Sequence, residues 1–190
     1  MIRGRTLWLV AVLLIAGGSF APVQAQPRTD RQAAITRMLD ALKTAPDEQT
    51  AAALEHQAQK MWLEAGTPAV TLLMGRGMRA LESGDNEEAL ASFSDAITLD
   101  PNLAEAWHQR AVAKYHSGDT PGAIRDIEQT LKLEPRDFPA LRTLTEIAVG
   151  REDWKSAYAA WQKVLEIDPK TPAGEERLKD LKRRAFGEET

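Results

Sequence analysis

Three prolines at a fixed distance constrain this chain more than any other feature. Pro101, Pro135 and Pro169 lie 34 residues apart, and each follows an acid that itself follows a large aliphatic: Leu99-Asp100, Leu133-Glu134 and Ile167-Asp168. Other positions keep the same register. Twelve residues before each proline stands Ala89, Ala123 or Ala157, and eight before stands Phe93, Ile127 or Trp161. Sixteen before come Asp85, Asp119 and Asp153. Twenty-eight before come Leu73, Trp107 and Leu141, followed four residues later by Gly77, Ala111 and Thr145. A period of this length marks one supersecondary unit repeated, which buries its apolar face only by stacking on a neighbour.

Each unit reads as two helices joined by a short turn. In the first, Thr67-Pro68 is a start signal, and the leading helix spans about 70–82. Ser83-Gly84-Asp85 is the turn, with Asp85 and Glu88 spaced as a capping box, and the second helix reaches Leu99. Asn102 and Glu105 offer the same box to the next unit, whose helices fall near 104–117 and 120–133. Asp137 caps the third unit, with helices near 138–149 and 153–167. Its turn carries Glu152 where the others carry Gly84 and Gly118, so a different backbone path is expected there.

These matched positions resemble the tetratricopeptide repeat (TPR) family, in three copies (70–103, 104–137, 138–171) within residues 67–169. The resemblance implies an all-α, right-handed solenoid of three helix-turn-helix repeats. Small residues sit where the paired helices cross, Gly77 with Ala89 and Ala111 with Ala123. Leu73 with Phe93, Trp107 with Ile127 and Leu141 with Trp161 fill the space beside them. Family geometry also pairs Asp126 with Arg110 across the second hairpin. Lys114 falls where a large inward residue is expected; either its stem lies along the core with the charge sent out, or the helix is rotated.

The flanks add an address and two ends. Arg3 and Arg5, the apolar run from Leu7 to Ala16, and Val23-Gln24-Ala25 form the pattern of a secretory signal peptide over 1–25. The apolar run is about half of the roughly 20 residues a membrane span needs, so no stable insertion is expected after cleavage. The chain has no cysteine, which removes lipidation and disulfides, and the expected destination is the bacterial periplasm. Residues 26–66 hold two amphipathic helices, one from Asp30 to Pro46 with Ile35, Met38, Leu39 and Leu42 on one face. The other spans about 47–65, with Leu54, Ala58, Met61/Trp62 and Ala65 as its stripe. They read as an N-terminal cap over the exposed face of the first repeat, or as a degenerate fourth repeat. Residues 170–190 hold a capping helix beginning at Thr171-Pro172, with Leu178 and Leu181 inward, and a tail.

Catalysis is not indicated. The chain lacks HExxH, a phosphate loop and GxSxG, and without cysteine it has no thiol nucleophile. Glu105 and His108 share a helix face, but His116 is rotated away from it, so no metal and no cofactor are expected. The formal charge of −4 becomes about −6 once Arg3 and Arg5 are removed, which argues against nucleic acid and anionic membranes.

What remains is a surface. In TPR proteins the leading helices line a concave groove, which on this chain implies Thr71, Met74, Met78 and Leu81, then Glu105, His108, Val112, Tyr115 and His116, then Arg142 and Glu146. Met74 and Met78 either anchor a partner's apolar side chain or pack against the N-terminal helices. They stand where carboxylate-gripping family members place Lys and Asn, so that mode is not expected. The implied function is a non-catalytic, exported scaffold or adaptor that holds a peptide or helix of an envelope protein. The alternatives are a self-associating structural protein, and hence a homo-oligomer, or an accessory subunit of a periplasmic enzyme or secretion assembly.

Overall fold

In the computed structural model, residues 28–187 are described; the signal-peptide pattern lies outside them. Among the described residues every regular element is a helix. They are α1 (Arg28–Lys43), α2 (Glu48–Leu63), α3 (Pro68–Ser83), α4 (Asn86–Leu99), α5 (Ala104–His116), α6 (Thr120–Leu133), α7 (Phe138–Gly150), α8 (Trp154–Ile167) and α9 (Gly174–Phe186). None of these is long and apolar enough to cross a membrane. The hairpins α3–α4, α5–α6 and α7–α8 form the three repeats and stack in order, with α9 against α8. This is the TPR solenoid.

The repeated residues do what their register implies. Ala89, Ala111, Ala123 and Ala157 are fully buried at the crossings, together with Phe93 and Ile127. A Cβ on Gly77 would lie 2.5 Å from the Phe93 ring, so that crossing tolerates no side chain. Trp161 is buried and donates its indole N–H to the Gly174 carbonyl, whereas Trp107 is only half-buried and bonds Pro101. The acid before each proline has a role that periodicity alone does not reveal. Asp100, Glu134 and Asp168 are buried and accept from the backbone N–H two residues on, at Asn102, Arg136 and Lys170. That bond folds the turn between repeats.

Local corrections follow from the caps. Asp85, Asp119 and Asp153 each cap the second helix of their repeat, and Asp137 caps α7. The Asn102–Glu105 box does not form: Leu103 is the N-cap of α5, with no side-chain bond, because Asn102 is held by Asp100 and Glu105 turns inward. Glu152 does not take a different path. Its φ of 56° matches the left-handed Gly84 and Gly118, and the Asp153 N–H bonds the Ala148 carbonyl just as Asp85 bonds Ala80. The hydrogen-bonded turn imposes the conformation, and the side chain is accommodated there. The last helix starts at Gly174 rather than Thr171, since the Thr171 hydroxyl is engaged by Asp168.

The larger correction concerns α1 and α2. They do not stack on the outer face of α3–α4. Instead the hairpin folds back along the solenoid: α1 packs on α8 and α2 on α5. Ile35, Leu39, Leu42, Ala58 and Trp62 are buried in one apolar cluster with Phe138, Leu141, Trp161 and Val164. A stripe on α1 and α2 requires burial, and repeat 3 receives it with Phe138, Leu141, Trp161 and Val164.

Candidate partner-binding groove

The leading helices α3, α5 and α7 wall the trough, and the α1–α2 hairpin lies across part of it as a strap. Trp62 meets the Phe138 ring at a centroid distance of 5.7 Å. Glu55 takes both terminal nitrogens of Arg142, which also donates to Thr171 Oγ1 at 2.9 Å and sits 5.1 Å above the Phe138 ring. From α1, Gln32 donates to Glu134 at 2.9 Å and Asp40 accepts from Arg136 at 2.6 Å. Residues on the first two turns of α7 are therefore covered by the chain itself.

The groove residues implied by the resemblance divide accordingly. Met74, Glu105 and His108 are buried, and Arg142 is committed to the strap. Leu63 and Ala65, where the strap joins α3, pack on the same cluster as Met74. Met78, Leu81, Val112 and Tyr115 are half-exposed, and His116 is exposed. These five lie on the C-terminal halves of α3 and α5, past the point where the strap crosses. Glu146 is exposed and paired with Arg177 of α9. Thr71 belongs elsewhere: with Leu72, Gly75 and Arg79 it forms an open apolar patch on the free end of the solenoid, where Leu72 is 70% exposed.

Two polar clusters lie behind these walls. In the second hairpin Asp126, 3% exposed, receives Arg110 Nε at 2.7 Å and Nη2 at 2.9 Å, and Lys114 Nζ at 2.7 Å. The pairing implied for Arg110 is present, and Lys114 points its charge inward to the same carboxylate. The second cluster was not legible in the sequence. Glu105 and His108 of α5 meet Asp137, the N-cap of α7, with their ligand atoms all within 4.8 Å of one another. His108 Nδ1 and Asp137 Oδ2 are buried without hydrogen-bond partners. Burial pushes the Asp137 carboxyl up to about 7, opposed by the charge of His108. For His108 burial acts downward, but the nearby carboxylates of Glu105 and Asp137 outweigh it and raise the imidazole. Asp137 was recognisable as a cap, but its 29-residue separation from His108 carried no signal that the two meet.

A family model described as a TPR repeat matches residues 79–118, which span the last turn of α3 and the whole of α4 and α5. The chain is a tetratricopeptide-repeat protein. A TPR repeat-containing protein of Rhizobium etli is 28% identical to this TPR chain over 82% of it and 76% of the relative. The Hsp70-Hsp90 organizing protein of Triticum aestivum is 33% identical over 58% of the chain, but the match spans only 19% of that protein. Among solved structures, the MamA protein has a TM-score of 0.57 at 19% identity, covering 84% of this TPR chain and 85% of that one. The first TPR of Spaghetti (RPAP3), bound to the HSP90 peptide SRMEEVD, has a TM-score of 0.58 at 17% identity, covering 62% and 94%. At these identities the structural likeness establishes the fold.

Proposed function

We propose that this protein is an exported, non-catalytic interaction scaffold that holds a peptide or helix of an envelope protein on the part of its trough left open by the strap. One observation carries this reading: Met78, Leu81, Val112 and Tyr115, on the C-terminal halves of α3 and α5, are only partly buried, and His116 beside Tyr115 is exposed. Soft methionine beside aromatic and branched side chains suits a partner's apolar anchors, and flanking polar groups suit its register. Peptide ligands named for similar TPR structures support the class of partner, and the leader pattern supports the compartment. Photo-crosslinkers placed at Val112 and Tyr115 in cells should give one discrete adduct, and crosslinkers at exposed Glu128 on α6 should not. Equal labelling from both faces would remove the proposal.

A second reading rests on the free end of α3. Leu72 is left uncovered because the strap turns away from it, so two copies could join end to end. Sedimentation that shows a dimer dispersed by Leu72→Glu would favour this reading.

A further inference from the structure

We propose that Glu105, His108 and Asp137 form a binding site for a divalent first-row transition-metal ion of the zinc type, which ties α5 to the start of α7 beneath the strap. The donor atoms come from α5 and from the N-cap of α7 and converge: all lie within 4.8 Å of one another, and Glu105 Oε1 is 3.8 Å from His108 Nδ1. Bonds of about 2.0–2.2 Å at the tetrahedral angle place ligand atoms roughly 3.3–3.6 Å apart, so the side chains close the set by drawing together on the order of 1 Å.

The tautomer makes the arrangement informative. The Thr143 hydroxyl donates to the Pro139 carbonyl at 3.1 Å, and its oxygen faces His108 Nε2 at 3.1 Å. With that hydroxyl proton spent, Nε2 carries the ring hydrogen and donates it to Thr143. The Nδ1 lone pair is then bare, 96% buried by residue exposure and aimed at two carboxylates. Such a lone pair needs either a proton or a metal ion between itself and the acids. A carbonyl-anchored hydroxyl holding the far nitrogen is the outer contact that fixes a metal-bound imidazole.

Charge points the same way. Among the described residues Glu105 pairs with His108 and Gln109, and Asp137 Oδ1 accepts the Ala140 amide that it caps. Two buried carboxylates with one neutral imidazole are balanced by a doubly charged ion. Imidazole with carboxylates suits zinc and its neighbours better than calcium or magnesium, which prefer oxygen alone.

The experiment uses the purified chain after dialysis against a chelator, titrated calorimetrically with Zn²⁺ and followed in the visible spectrum with Co²⁺. One ion per chain is expected. Asp137→Asn, which keeps the N-cap, and Glu105→Gln should each weaken binding by more than about tenfold. A His56→Gln/His116→Gln variant, lacking the exposed imidazoles, should bind as tightly as the parent. The proposal is overturned if no ion binds, or if binding survives Asp137→Asn and Glu105→Gln, whatever the third variant shows. Unchanged circular dichroism in Asp137→Asn separates loss of the site from loss of the fold.

Discussion

Replacing Trp62 by alanine should release the strap while leaving the three repeats folded. Trp62 is 5% exposed and is the largest side chain that α2 contributes to the shared cluster. Truncating a buried tryptophan costs about 3–5 kcal/mol. Every 1.4 kcal/mol is a tenfold change, so the ratio of docked to open strap should fall by between about a hundredfold and a few thousandfold. Ile35, Leu39 and Leu42 remain to hold α1, so the hairpin opens more often instead of being lost. Repeats 1 and 2 have their own apolar clusters around Phe93 and Ile127, neither of which includes Trp62. The assay is amide hydrogen exchange resolved by peptide. Exchange in α1 and α2 should accelerate by roughly the same factor, while α5 and α6 keep their protection. Unchanged exchange in the strap, or equal acceleration throughout, would refute the reasoning.

Other perturbations test separate joints. Asp126→Ala removes the counter-charge of Arg110 and Lys114, whose side chains are 17% and 20% exposed; a thermal melt should show a loss of about 2–4 kcal/mol, below the upper range for a fully buried pair. Glu152→Gly relieves a left-handed backbone strain and should raise the melting temperature by the equivalent of about 1 kcal/mol. Gly77→Val drives a side chain into the Phe93 ring and should cost at least about 1–3 kcal/mol in chemical denaturation. Asp137 and His108 both hold protons more firmly when folded than when unfolded. In chelator-treated protein the Asp137 contribution is therefore fully present below about 4 and is lost as pH rises through about 7, whereas that of His108 falls only above its ordinary value of 6.5. The stability difference between parent and Asp137→Asn should shrink or change sign over that window, and a constant difference would contradict the assignment.

The repeat architecture was legible because its determinants are local or strictly periodic. Small residues at Ala89, Ala123 and Ala157 specify a crossing, and Asp85, Asp119 and Asp153 specify helix starts. The path of the strap was not legible. An amphipathic stripe such as Ile35, Leu39 and Leu42 states that a face is covered without stating by what, and Arg142 reads equally well as a groove residue or as the anchor for Glu55. Glu105 illustrates the same ambiguity at closer range. Its spacing from Asn102 fits a capping box, but Asp100 had already claimed Asn102, which left the carboxylate to face His108. At Glu152 the local hydrogen bonds of the helix C-terminus outweighed a residue preference.

The account depends on the chain covering half of its own trough and leaving the other half for a different polypeptide. Nuclear Overhauser contacts of the Trp62 indole test this most directly, and without any substitution. Cross-peaks between Trp62 and the Phe138 ring are expected, with none to Leu72 on the free end of the solenoid. Contacts from Trp62 to Leu72, with none to Phe138, would place the hairpin on the end of the first repeat and contradict the account.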